Sequence, residues 1–130
     1  LKKTRKESTD SKSRGAVAVE FALVAPLLLA LITGIVEFAH AYNAQISVTQ
    51  AAREAARTMA VKNSQTDAKA AAVAGAPGLT TGSFVYTFAP AACTPDTTMK
   101  VTISYNSATM TGLFGSSVTL TGVGAMRCGG

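Results

Sequence analysis

The chain turns on Gly15-Ala16-Val17-Ala18-Val19-Glu20-Phe21-Ala22-Leu23-Val24-Ala25-Pro26-Leu27-Leu28-Leu29-Ala30-Leu31-Ile32-Thr33-Gly34-Ile35-Val36. From Ala16 to Val36 it holds one charge, Glu20. As a helix this run extends roughly 32 Å, enough to cross the hydrocarbon of a bilayer. A carboxylate at the edge of hydrocarbon costs a few kcal/mol on insertion scales, so Glu20 calls for a partner. Pro26 removes one backbone donor and is expected to kink the helix, which membrane helices tolerate where neighbours cover the gap. Ala18, Ala22, Ala30 and Gly34 recur at multiples of four, with Pro26 filling the gap, and small residues at that spacing let a second helix come close. The rival explanation is the general abundance of alanine.

Outward from this run, the N-terminal side is basic. Lys2, Lys3, Arg5, Lys6, Lys12 and Arg14 stand against only Glu7 and Asp10, so the first 15 residues carry most of the net charge of +5. Cations placed directly before an apolar helix hold that end in the cytoplasm. A nucleic-acid binder instead needs a basic face with stacking aromatics, so nucleic acid is not an expected partner. Residues 1–14 are Ser/Thr-rich and aperiodic and are expected to be disordered. Leu1 reads as a truncated start or a non-ATG codon. A secretory signal has an apolar core of only about 7–15 residues and a small-x-small cleavage site, whereas this run is longer and continues into helix-forming sequence. The pattern favours a retained anchor.

On the C-terminal side the helical signal outlasts the hydrophobicity. Val48, Ala51, Ala52, Ala55, Ala56, Met59 and Ala60 follow three-four spacing, with Gln50, Arg53, Glu54 and Arg57 on the other face as a solvated surface. One helix is expected from about Ala16 to Lys62, its first half in lipid and its second half amphipathic in water. The alanine stripe is narrow, so its partner must approach closely. Thr66 to Gly75 reads as a short helix ended by glycine, followed by the turn Pro77-Gly78. Strands follow at Ser83–Phe88, Met99–Tyr105 and Ser117–Met126. Phe84, Tyr86 and Phe88 share one face, as do Val101, Ile103 and Tyr105. The expected fold is α+β: the long helix covers a small antiparallel sheet of about three strands. The division is 1–15 basic leader, 16–37 transmembrane helix, 38–62 amphipathic extension and 63–130 extracytoplasmic domain.

Cys93 and Cys128 fall in the part that the charge rule places outside the cytoplasm, where an even count favours a disulfide over two free thiols. Such a bridge would staple a domain too small to rest on its core alone. Two cysteines and one distant His form no recognisable metal-ligand set, and no cofactor is expected. Catalysis is not expected either. His40 follows Glu37 by three residues on one helix face, a spacing that reads as an interfacial hydrogen-bonded pair. Gly112–Gly115 lacks the Lys and the helix of a phosphate loop.

Residues Arg14-Gly15-Ala16-Val17-Ala18-Val19-Glu20-Phe21 through Ala51-Ala52-Arg53-Glu54-Ala55-Ala56-Arg57 resemble the TadE-like minor pilins (pseudopilins) of tight-adherence (Tad/Flp, type IV-like) pilus systems. The likeness extends less specifically to Gly112-Leu113-Phe114-Gly115 through Ala125-Met126-Arg127. It implies cleavage by a prepilin peptidase between Gly15 and Ala16, leaving Ala16 as the new N-terminus. It further implies that Glu20, followed by Phe21, pairs with the terminal amine of a neighbouring subunit. Two unit charges ~4 Å apart attract by about 4 kcal/mol at an effective dielectric near 20, comparable with the cost of holding the acid in lipid. The implied partners are the peptidase, other major and minor pilins, the inner-membrane assembly platform and the membrane. The implied place is the bacterial inner membrane, single-pass with a cytoplasmic N-terminus, with incorporation into the pilus open. The implied role is pilus assembly, initiation or tip formation, because major pilins have little beyond the apolar helix. The alternative is an uncleaved, single-pass envelope protein that displays a small binding module.

Overall fold

The computed structural model describes the backbone of residues 7–129 and the side chains of residues 11–129. The leader cations Lys2, Lys3, Arg5 and Lys6 lie outside the described residues. The elements are helices α1 (Glu7–Lys62) and α2 (Gln65–Ala74), then strands β1 (Val85–Ala89), β2 (Thr98–Ala108) and β3 (Ser117–Arg127). The fold is α+β, a long helix followed by a three-stranded antiparallel sheet in the order β1-β2-β3.

One expectation is corrected at the start of α1. Residues 7–14, read from the sequence as disordered, are helical. Extending an existing helix needs no new nucleation, and this segment contains neither Gly nor Pro to stop it.

The chain divides into two units, one up to Val36 and one from Glu37 onward. In the first, α1 turns its large apolar side chains outward around its circumference: Val17, Phe21, Leu23, Leu27, Leu29 and Leu31 are all more than half exposed. A helix that is apolar all round belongs in the interior of a protein assembly or in a membrane. This one is long and apolar enough to span a bilayer, and none of its most apolar window is buried within the chain.

In the second unit the C-terminal half of α1 lies over the sheet. Ala44, Val48, Ala51, Ala52, Ala55, Ala56 and Met59 are buried together with Met99, Val101, Ile103 and Tyr105 of β2. Strict alternation along β2 turns these four inward and Lys100, Thr102 and Ser104 toward the other face. Among the described residues only Met59, Met99, Ile103, Val48 and Val101 are both large and fully buried. At about 1.5–3 kcal/mol for each such side chain, the core is a modest one.

β3 completes the sheet without large inward residues at its centre. Gly122 pairs with Ile103 and Gly124 with Val101, so both glycines face α1. A Cβ placed on Gly122 would lie 2.5 Å from the carbonyl oxygen of Val48, and one on Gly124 would run into the Ala52 carbonyl. Helix backbone and strand backbone therefore touch, and the close partner demanded by the alanine stripe is a pair of glycines.

α1 stops at Asn63, which adopts a left-handed conformation with φ of 51° and lets the chain reverse. Ser64 caps α2 by accepting a hydrogen bond from the Asp67 N–H at 3.2 Å. The helix returns along α1, bringing Gly75 to Ala51 and Glu54 while Ala68 and Ala72 are buried.

Candidate functional site

Two constellations stand out, one in each unit. In the first unit Gly15, Ala16, Glu20 and Phe21 all lie on α1 and are exposed. Ala16 and Glu20 are four apart, so they share a helix face. Ala18, Ala22 and Ala30 are exposed as well, and an added Cβ on Gly34 would meet nothing within 4 Å. The surface of these residues is open in the single chain.

The second constellation surrounds Glu37, the first residue beyond the apolar run. Its side chain is only 8% exposed. Both carboxylate oxygens accept from the backbone N–H of Met110, at 2.8 Å from Oε1 and 3.1 Å from Oε2. A hydrogen bond to a charged acceptor is worth roughly 1.5–3 kcal/mol, so Glu37 holds the loop between β2 and β3 against α1. His40, expected to pair with Glu37, is exposed instead. The acid is taken by the strand connection, which the helix spacing alone could not reveal. Gln45 adds a second tie just over two turns on, donating from Nε2 to the Thr121 carbonyl at 2.8 Å.

At the far end of the same unit Cys93 and Cys128 form a disulfide with their Cα atoms 5.6 Å apart. Asn63 grips the same loop through its amide. The Cys93 N–H donates to Asn63 Oδ1 at 2.7 Å, and Asn63 Nδ2 donates to the Cys93 carbonyl at 3.3 Å. Gln65 Nε2 donates to the Ala91 carbonyl at 2.8 Å, and the Cys128 N–H donates to the Thr97 carbonyl at 2.8 Å. The turn between the helices, the β1–β2 connection and the end of β3 are thus joined at one corner. Lys69 of α2 sits 5.7 Å over the ring of Tyr86, and burial pushes the Tyr86 phenol above its ordinary pKa of 10.0.

Residues 15–57 match the TadE-like protein family. The likeness is confined to that segment. No curated protein and no solved structure matches the chain. The TadE-like segment starts at Gly15 and closes at Arg57, so it takes in the apolar run, the Glu37 tie and most of the alanine stripe. α2, the sheet and the disulfide corner lie beyond it. The TadE-like family is structural and non-enzymatic, and its members are pilin-like proteins associated with Tad pili. Among the described residues no group of three or more His, Cys, Asp or Glu side chains could hold a metal.

Several of these residues escaped the reading of the sequence. Gly122 and Gly124 carried a usable signal, since two glycines two apart on a strand share a face and an alanine stripe awaited a close partner. Asn63 carried a weaker one, as an Asn just past a helix end is a frequent left-handed cap. Nothing local to Glu37 or Met110 announced their bond across the fold.

Proposed function

We propose that this protein is a minor pilin, or pseudopilin, of a Tad-type pilus. A prepilin peptidase cuts it between Gly15 and Ala16, and the processed chain serves in assembly, initiation or tip formation. The observation that carries this reading is the TadE-like segment starting at Gly15, with Glu20 five residues on and an apolar helix behind it. Cleavage frees an amine at Ala16. The Glu20 carboxylate of one subunit then pairs with the amine of the next, removing the cost of an isolated acid in lipid. The exposed leucines, the small residues at 18, 22, 30 and 34 and the open helix surface suit transfer from lipid to a bundle of similar helices. The basic leader keeps the N-terminus in the cytoplasm, and the unit from Glu37 onward lies outside it, in the compartment where disulfides persist.

The test is the intact mass and N-terminal residue of the chain made with and without its prepilin peptidase. A product starting at Ala16 only when the peptidase is present supports the proposal. Retention of residues 1–15 in both cases rejects it and favours the uncleaved, membrane-anchored display module.

A further inference from the structure

The loop between β2 and β3 is unusual for a solvent loop. Thr109-Met110-Thr111-Gly112-Leu113-Phe114-Gly115-Ser116 contains no charge. Met110, Leu113 and Phe114 are 63%, 65% and 68% exposed. Its shape is fixed by short-range bonds: the Gly115 N–H donates to the Gly112 carbonyl at 3.3 Å, and the Thr109 N–H to the Ser116 carbonyl at 3.2 Å. Gly112 and Gly115 have φ of 72° and 99°, a backbone region that glycine enters without strain, and they bracket Leu113 and Phe114 at the tip.

The position of this loop is set by Glu37, through its bond to the Met110 N–H. Glu37 directly follows Val36, where the apolar run ends, so the loop is tethered one hydrogen bond from the point at which the chain leaves hydrocarbon. A second feature of the same unit marks the same level. Phe38 and Tyr42, 74% and 59% exposed, stack with ring centroids 6.4 Å apart. At 1.5 Å per residue Tyr42 is about 9 Å along the helix from Val36, within the headgroup zone where aromatic side chains collect.

We propose that the β2–β3 loop is a membrane-interface anchor. Leu113 and Phe114 enter the headgroup–acyl boundary of the bilayer that the apolar run spans, and Glu37 positions them there. The inference rests on the membrane-spanning reading of residues 16–36 but not on cleavage or on pilus assembly. Its consequence is that the unit from Glu37 onward is held down on the membrane by a second contact, which must be released before a subunit leaves the bilayer.

The chain contains no Trp, so Phe114→Trp introduces a single reporter. The full chain carrying it is reconstituted in vesicles of phosphatidylethanolamine and phosphatidylglycerol with lipids brominated at shallow or deep acyl positions. Leu28→Trp, in the apolar run, is measured alongside. The expected result is blue-shifted emission from Phe114→Trp that shallow bromines quench severalfold and aqueous iodide hardly touches. Adding Glu37→Ala should lower that quenching at least about twofold while the far-ultraviolet circular dichroism is retained. Glu37→Gln, which keeps an acceptor, should fall between the two. Iodide quenching without bromine quenching overturns the proposal. So does a blue shift that bromolipids leave untouched and that grows with protein density, which would place the loop against a second copy of the chain. Bromine quenching indifferent to both Glu37 variants overturns the positioning role. If Leu28→Trp is quenched and Phe114→Trp is not, the loop anchor alone fails; if neither is quenched, the membrane-spanning reading fails with it.

Discussion

The two halves of α1 use hydrophobicity in opposite ways. Between Ala16 and Val36 the large side chains point outward and stay exposed within the chain; between Ala44 and Ala60 the apolar residues are mostly alanine and, apart from the exposed Ile46, are buried. The first half offers bulk to an apolar surrounding. The second removes bulk so that two backbones can meet, with Gly122 and Gly124 answering the alanine stripe. Residue size rather than apolarity separates the stretch built for lipid or a bundle from the stretch built for its own sheet.

The comparison breaks most readily at the disulfide corner. The bridge spans 35 residues of sequence. Removing it with Cys93→Ser and Cys128→Ser together is expected to cost about 3–4 kcal/mol in the chain-entropy description, read as a lower denaturant midpoint for the full chain in detergent micelles. An unchanged midpoint would mean that the unit from Glu37 onward does not depend on its staple.

Next in size is Gly124→Ala. Its methyl group has no room beside Ala52 and should cost about 2–3 kcal/mol by the same measurement, in the range for overpacked cores. Leu27→Ala makes the opposite-sized change on the exposed half and should leave that midpoint within about 0.5 kcal/mol, as for surface substitutions. Equal effects from the two variants would erase the distinction between the halves.

The smallest expected effect concerns pH. Burial raises the folded-state pKa of Tyr86 above 10.0, so the folded chain holds this proton more tightly than the unfolded one. The associated stability is complete below pH 10 and is lost as pH rises through the folded-state value. Tyr86→Phe should flatten that decline in unfolding curves recorded above pH 9.5, about half a unit below the onset.

The sequence carried those parts of the fold that depend on periodicity. Val101, Ile103 and Tyr105 alternate so regularly that β2 and its buried face could be placed before any coordinates, and the three-four spacing from Val48 to Met59 identified the buried side of the helix. Capping and turn residues placed α2 to within a residue at each end. Contacts made by single residues at long range stayed hidden. The Glu37–Met110 bond joins positions 73 apart, and a carboxylate three residues before a histidine suggests the nearer partner first. Gly122 and Gly124 look like weak points in a strand until the register sets them beneath Val48 and Ala52. The face around Gly15, Glu20 and the small residues is open in this chain, so the proposed partners of these residues lie beyond it.

The disulfide at the end of β3 has a mechanical meaning. A strand held at its terminus only by hydrogen bonds can be peeled away one rung at a time when its end is pulled. Here Cys128 hands the load to Cys93, whose backbone is clasped by Asn63 at the end of the long helix. Tension entering at the C-terminal side therefore passes through the covalent disulfide to Cys93 and from there through the Asn63 hydrogen bonds to the helix-turn corner, and the outer strand is shielded from unzipping.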